Sequence, residues 1–306
     1  MSGAVALGAI PQARADDAEV HAKASQEARG EEAFKKALAR LNSTSANERA
    51  AAADELGRRG IRFRIQIADV LRPLLLKDSD AAVRAASARA LGRLGARESI
   101  PELTQALADE NAEVRSVAAA ALWRMPDPKA VPALLDRTRD RDPKVREWSA
   151  LALGATGDTR AVPALAHLLR DSERTVRLAS VRSLGHIDRQ DALGALEGYL
   201  DSGNRDEEEK DEVVNAIASA PGSDRVAALL ALYAAAASDV GQKKRLLSAL
   251  AKIGDAQALP MLRKVSSEKP DSRGLRAPAA AAYAAVLART NEAARPPSDT
   301  PSTTKR

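Results

Sequence analysis

The sequence predicts an all-α solenoid built from stacked helical hairpins. The main observation is that a valine followed by an arginine recurs every 31 residues; these pairs are Val83-Arg84, Val114-Arg115, Val145-Arg146 and Val176-Arg177. Four leucines keep the same step, namely Leu91, Leu122, Leu153 and Leu184. Aromatic residues make up only 2% of the chain, and thin helical layers need fewer bulky rings than a wide core. Repetition at this period is typical of proteins in which each unit buries its apolar face against its neighbours.

Residues 79–109 show how one unit is expected to fold. Asp80 is a suitable N-cap for a first helix, and Gly95 is placed to end that helix in a left-handed conformation. Pro101 suits the first turn of a second helix, and Asp109 closes the unit. The first helix carries an apolar stripe at helical spacing, formed by Val83, Ala86, Ala90, Leu91 and Leu94.

The remaining units follow in order along a solenoid that we expect to span residues 43–290, with about seven repeats by the period of the pattern. Residues 43–78 form a divergent first unit. Regular units follow at 110–140, 141–171 and 172–203, then a looser one at 204–237 and a more regular one at 238–268.

The two ends differ from the middle, as capping segments should. Residues 16–42 predict polar capping helices that dock through Phe34, Leu38 and Leu41. A last alanine-rich helix is expected to end near Arg289. The tail 291–306 is rich in proline, serine and threonine and is expected to be disordered, because it has little apolar area to bury.

The first fifteen residues resemble the end of a secretory signal. Residues 4–10 are apolar, and Ala13-Arg14-Ala15 fits a cleavage site. A basic region in front of the apolar run is missing. The sequence therefore predicts an exported, periplasmic or extracellular protein that begins at Asp16 after cleavage, while a cytoplasmic protein with an alanine-rich N-terminus is the alternative. No apolar run approaches the ~20 residues that cross a bilayer.

Three phrases of the 141–171 unit carry a resemblance to a known family. They are Asp142-Pro143-Lys144-Val145-Arg146, Ala150-Leu151-Ala152-Leu153-Gly154 and Ala161-Val162-Pro163-Ala164-Leu165. These phrases resemble the HEAT-repeat consensus in its short bacterial form, also called PBS-lyase-like. The resemblance is strongest over 79–203 and implies a solenoid whose second helices line the inner curve. It implies little about activity, because one fold serves many functions.

The residues needed for catalysis or metal binding are scarce. The chain has no cysteine and three histidines, His21, His167 and His186, none of them one helical turn from another. It also lacks the His-Glu pairs that HEAT-like iron hydroxylases carry in several repeats. No phosphate-binding glycine loop or nucleophile elbow is present. We therefore expect a protein that is not an enzyme and that has no catalytic, cofactor-binding or metal-binding residues.

A protein partner is the expected ligand. Gln105, Asp136 and His167 follow the 31-residue step along the second helices, and Arg137 and Tyr199 belong to the neighbouring register. Because the second helices line the inner curve in this family, these residues are expected to form one continuous inner surface. Their mixed charge suits a protein interface better than a phosphate backbone.

Two alternatives remain open for the function. HEAT-like DNA glycosylases use aromatic side chains, and Trp123 and Trp148 invite that comparison. However, Trp148 lies at a packing position of its helix, and Trp123 replaces Gly92 and Gly154 of other units, so we expect it to fill an interhelical gap. The net charge is only +5, from 47 basic and 42 acidic residues, which does not favour nucleic acid. The other alternative is an accessory subunit of a lyase or assembly complex.

Two groups of basic residues have separate interpretations. The arginines of the valine-arginine pairs each follow an aspartate that ends the preceding unit, so we expect them to join repeat to repeat through charge-assisted hydrogen bonds. The second group crowds the first unit beside Asp69 alone and is a candidate site for an anionic partner, with a solvated face as the alternative. Its members are Arg58, Arg59, Arg62, Arg64, Arg72 and Lys77.

Overall fold

The computed structural model describes residues 30–59, 61–188, 190–201, 206–222, 224–236, 238–268 and 274–293. Every regular element in these ranges is a helix and none is a strand, which confirms the predicted all-α class. The proposed signal at 1–15 and residues 294–306 of the tail lie outside the described ranges. None of the described helices is long and apolar enough to cross a membrane.

The helices are numbered in chain order. They are α1 at 30–40, α2 Ala46–Arg59, α3 Arg64–Lys77, α4 Ala81–Leu94, α5 Ile100–Ala106, α6 Ala112–Arg124, α7 Val131–Arg137, α8 Pro143–Thr156, α9 Val162–Leu168, α10 Arg174–Leu184, α11 Gln190–Asp201, α12 Glu207–Ser219, α13 Asp224–Ala235, α14 Val240–Ile253, α15 Leu259–Ser267 and α16 Arg276–Ala293. The chain divides into two compact units, residues 1–121 and 122–306.

Local sequence signals explain where the repeat helices begin and end. The Asp80 carboxylate accepts a hydrogen bond from the Ala82 amide and caps α4, as predicted. Gly95 and Gly157 follow α4 and α8 with φ of 62° and 66°, a left-handed conformation that glycine adopts without steric cost. A proline stands in the first turn of α5, α7, α9 and α15, where its missing N–H breaks no helical bond.

The repeated leucines form the core. Leu91 and Leu153 are fully buried, as is Leu184, and Leu122 is 1% exposed, which confirms the predicted register. Glycine allows successive first helices to approach closely: a Cβ added at Gly154 in α8 would lie 2.5 Å from the Ser183 side chain in α10. The Ser183 hydroxyl donates to the Ala150 carbonyl oxygen of α8 at 2.8 Å, so this contact is also hydrogen-bonded.

The arginines near the start of the first helices do join repeat to repeat, but through a different aspartate from the one expected. Arg84 donates from Nη1 to the main-chain oxygen of the preceding Asp78 at 2.9 Å. Its carboxylate partner is the following Asp109, reached from Nε at 2.7 Å and from Nη2 at 2.8 Å. Arg146 binds Asp171 in the same way, at 2.7 and 2.8 Å. The preceding aspartate is six residues away, and its backbone, not its side chain, lies in reach of the guanidinium.

Hydrogen bonding determines the ionisation of Asp171, the carboxylate partner of Arg146. Burial raises the pKa of Asp171, but hydrogen bonds from Arg146 and from the Glu173 amide outweigh burial. The pKa of this carboxyl therefore lies below its usual value, and the aspartate is ionised at neutral pH. The charged pair is correspondingly strong, since both its partners are held in bidentate geometry.

The helix α1 lies against the first repeat through apolar side chains. Phe34 of α1 stacks on Phe63, with ring centroids 4.2 Å apart and planes 9° from parallel. Leu41, which follows α1, is 5% exposed, and Leu38 is half-buried. The apolar residues at the start of the described chain thus cover the edge of the first repeat.

Candidate binding grooves between the second helices

Two open grooves lie between the second helices of three successive repeats in the unit 122–306. The α7–α9 groove has a volume of about 470 Å³ and is lined by Leu135, Asp136, Thr138, Arg139, Arg160, Pro163, Ala164 and His167. The α9–α11 groove has about 440 Å³ and is lined by Ala166, Leu169, Arg170, Gly194, Ala195, Gly198 and Tyr199. Both mix charged, small and apolar residues, as protein interfaces do.

The two grooves are repeats of one another. Arg139 and Arg170 are 31 residues apart, as are Ala164 and Ala195, and each residue lines its own groove at the equivalent place. The second helix α9 contributes one wall to each groove. The same local structure is therefore presented twice in a row along the repeats.

The structure brings together two of the predicted partner-binding residues. Asp136 of α7 and His167 of α9 are exposed and line the α7–α9 groove together. Gln105 is exposed on α5 in the unit 1–121. Residues 105, 136 and 167 are thus all exposed to solvent, and their role in partner binding stays a prediction.

The neighbouring register, which contains Arg137 and Tyr199, does not form the exposed surface that the sequence predicts. Tyr199 is only 5% exposed, and its hydroxyl donates to the Glu209 carboxylate at 3.5 Å. Leu168, at the equivalent position of α9, is also buried. Arg137 is half-buried and lies 3.6 Å from the Asp140 carboxylate. One residue along a helix is a rotation of about 100°, which is enough to turn this register from the surface into the core.

Several groove residues were missed by the sequence analysis, although their signals were present. Arg139 and Arg170 repeat at the 31-residue step, just after the second helices. Gly194 and Gly198 lie one turn apart within α11, and a Cβ added at either would meet no atom within 4 Å. Their exposed backbone forms the floor of the α9–α11 groove.

The basic cluster of the first repeat is less positive than its local sequence predicts. Arg64 lies 3.8 Å from Glu98, and Arg72 pairs with Asp69 and lies 3.8 Å from Glu102. The two glutamates belong to the next repeat, so residues close in the sequence did not reveal them. Arg58, Arg62 and Lys77 are exposed, and the side chain of Arg59 is outside the described part of the structure.

Trp123 is exposed beside the half-buried Trp148 instead of filling an interhelical gap. Trp123 is 40% exposed and its ring centroid lies 5.7 Å from that of Trp148. The Arg124 guanidinium lies 5.7 Å from the Trp123 ring. At equivalent glycine positions such as Gly154, a Cβ already meets the next helix, so the close approach seen there leaves no room for an indole.

The described histidine and carboxylate side chains do not assemble into a metal site. No group of three or more histidine, aspartate or glutamate side chains there is arranged to hold a metal ion. His186 is exposed, and its Nδ1 lies 2.7 Å from the Arg182 carbonyl oxygen. His21 is outside the described ranges.

Stacked helical hairpins whose buried leucines recur at a fixed step define a helical-repeat protein of the α-solenoid class. The HEAT-repeat model matches residues 34–113 and 100–183. Residues 34–183 of the chain therefore carry HEAT repeats. A comparison of the sequence with curated proteins gives no significant match.

Three solved structures are similar to this chain at low sequence identity. The X-ray structure of YibA from Escherichia coli is 19% identical with a TM-score of 0.51, covering 85% of this chain and 96% of YibA. The complex of CpcE and CpcF of phycocyanin lyase from Nostoc sp. PCC7120 gives 22% identity and a TM-score of 0.48, covering 83% of this chain and 94% of the matched one. The structure of human deoxyhypusine hydroxylase is 22% identical with a TM-score of 0.37, covering 79% of this chain and 93% of the hydroxylase chain. At these identities the likeness concerns the fold alone.

Proposed function

We propose that the protein is a non-enzymatic scaffold that binds a partner protein along its second helices. The observation that supports this proposal most directly is the pair of equivalent grooves on either side of α9. A single groove offers too little area for a specific complex. Grooves in series can approach the ~800 Å² per partner of a standard interface.

The lining chemistry agrees with a protein ligand. Apolar side chains such as Leu135 lie beside charged ones such as Arg139 and Asp136. A polar, partly charged rim around apolar contacts is the usual composition of protein interfaces. Thr138 and His167 both line the α7–α9 groove, but the Thr138 hydroxyl donates to the Leu135 main-chain oxygen at 2.7 Å. The groove is therefore better assigned to binding than to catalysis.

Site-specific photocrosslinking tests the proposal. A photoreactive phenylalanine analogue placed at Ala195, on the wall of the α9–α11 groove, should form a discrete adduct with one protein in a lysate of the native host. The matched control carries the same analogue at Thr175, an exposed residue of the first helix α10. A Thr175 adduct of equal yield, or none at Ala195, would argue against binding in the grooves.

Nucleic-acid binding is the second candidate function, and the exposed Trp123 ring beside Arg124 is the observation that favours it. Stacking of a base on an indole contributes about 1–3 kcal/mol. Titration with single-stranded DNA should then quench tryptophan fluorescence, and the affinity should fall steeply with salt. Quenching that is absent in wild type, or equal in Trp123→Ala, would exclude this site.

We further propose that the protein is exported. The supporting observation is the apolar run at 4–10 followed by the small-residue pattern at 13–15. N-terminal sequencing of the native protein should recover Asp16 as the first residue. Recovery of Met1 or Ser2 would refute cleavage at this position and leave the cytoplasmic alternative.

A further inference from the structure

We propose that the α7–α9 and α9–α11 grooves bind an extended acidic peptide segment of the partner, with carboxylates at every third residue. Arg139 and Arg170 are the residues that would receive successive carboxylates. This inference rests on the proposed scaffold function and specifies the chemistry of its ligand.

The charges of the lining residues favour an acidic ligand. The α7–α9 groove presents Arg139 and Arg160 against one carboxylate, that of Asp136. Arg160 is held by Asp158 at 2.7 Å, which leaves Arg139 as the main groove cation. The described lining of the α9–α11 groove includes Arg170 and no carboxylate. Arginine binds carboxylates in a bidentate geometry.

The spacing of the two arginines favours an extended chain. Arg139 and Arg170 stand at the same place in successive repeats, and packed helices lie about 8–10 Å apart. A polyproline II segment advances about 3.1 Å per residue and returns to the same face every third residue. Side chains three residues apart therefore match one repeat step.

The floor of the second groove favours close approach of a backbone. A glycine within a helix costs stability relative to alanine. At Gly154 this cost is explained, because the next helix leaves no room for a Cβ; at Gly194 and Gly198 a Cβ would meet open space. No contact within the described chain requires these two glycines. A peptide lying across α11 would use the space that they leave.

The same grooves are poorly suited to a nucleic acid. The exposed Asp136 carboxylate would repel a continuous phosphate backbone. Binding of single strands also depends on exposed aromatic rings, and the aromatic side chain that lines these grooves, Tyr199, is 5% exposed. An acidic peptide avoids both problems, because its charges can be placed opposite the arginines alone.

Fluorescence anisotropy with the full chain tests the proposal. The probe is a labelled peptide of four Glu-Pro-Pro triplets, and the comparison probes are four Lys-Pro-Pro triplets and a peptide of the same composition with its glutamates contiguous. We expect the triplet glutamate probe to bind most tightly. Equal binding of the lysine probe would overturn the charge argument, and equal binding of the contiguous probe would overturn the spacing.

Variants locate the binding. Arg139→Ala with Arg170→Ala should weaken the glutamate probe about tenfold, since each exposed arginine–carboxylate pair that is lost weakens binding by a few-fold. Lys144→Ala with Arg182→Ala removes the same charge from first helices and should leave affinity unchanged within about twofold. Gly198→Leu should block the groove while circular dichroism confirms the native helix content. Unchanged binding in both groove variants would overturn the proposal.

Three outcomes distinguish a failure of the acidic-peptide inference from a failure of the scaffold proposal. A photocrosslinked partner at Ala195 together with no affinity for the glutamate probe would overturn the acidic ligand and leave the scaffold intact. If single-stranded DNA competes for the grooves and binds more tightly than the glutamate probe, the ligand class is wrong. Absence of any adduct at Ala195 would contradict the scaffold proposal itself.

Discussion

The α8–α9 repeat and the α10–α11 repeat are each linked to the next repeat by an arginine–carboxylate pair, but the acidic residue differs. In both, an arginine near the start of the first helix donates from Nη1 to a preceding main-chain oxygen, at 2.8 Å for Arg146 and 3.0 Å for Arg177. Arg146 then binds Asp171, which lies in the turn after α9. Arg177 instead binds Glu209, which lies inside α12, with an Nη2–Oε1 distance of 2.6 Å.

The difference shows that the arginine, and not a fixed acid, defines the link between repeats. Glu209 is the third residue of α12, the position that Val176 holds in α10. It is 2% exposed and also accepts the hydrogen bond of Tyr199. A repeat that has lost its terminal aspartate therefore keeps the link by placing a carboxylate at an apolar position of the next helix.

The largest effect should come from removing this displaced acid. Glu209→Ala should lower the free energy of unfolding by about 3–5 kcal/mol, because it removes the buried carboxylate that pairs with the Arg177 guanidinium and accepts from the Tyr199 hydroxyl. Urea denaturation followed by circular dichroism measures the loss. A loss no larger than that of Asp171→Ala would show that the two links are equivalent despite their different burial.

The leucine cores of the two repeats should respond alike. Leu153 and Leu184 are 31 residues apart and fully buried, so Leu153→Ala and Leu184→Ala should each cost about 2–5 kcal/mol. Thermal unfolding of the two variants gives the comparison. A melting temperature equal to wild type for either one would contradict the shared register.

The Asp171 link should depend on pH. Asp171→Ala should cost about 1.5–3 kcal/mol at neutral pH, as expected for hydrogen bonds to a charged group. The pKa of Asp171 is lower in the folded protein than the ~3.9 of an unfolded aspartate. Its contribution is therefore present above that unfolded value and is lost as pH falls through the folded pKa. Urea midpoints of wild type and variant should converge in acid; a gap that stays constant would contradict this.

The smallest changes in stability are expected for alanine substitutions at two glycines, and they should have opposite signs. Gly154→Ala should destabilise by about 1–3 kcal/mol, because the added Cβ would overlap α10. Gly198→Ala in α11 should stabilise by about 0.5–1 kcal/mol, since the Cβ enters open space and alanine favours the helix. Differential scanning calorimetry resolves both shifts. A destabilised Gly198→Ala would show that α11 packs against something at this face.

The repeat architecture was predictable because its signals are local. Caps, glycine stops and first-turn prolines act within a few residues, and the leucine register is set by helical periodicity. Most of the site was less predictable. Asp136 and His167 were found from the repeat step, whereas the groove cations Arg139 and Arg170 were passed over although they keep the same step.

What the sequence determined by itself is the class of fold, the repeat length and the leucine positions of the core, since each depends on spacing along one helix or one repeat. Tertiary structure alone decided that Tyr199 turns inward to Glu209, and that Glu98 and Glu102 neutralise part of the first basic cluster. It also decided that Trp123 stays exposed. These outcomes depend on which side chains from different helices meet, and a step of one residue rotates a side chain by about 100°. Periodicity shows which residues are equivalent, but only packing decides which neighbours they contact.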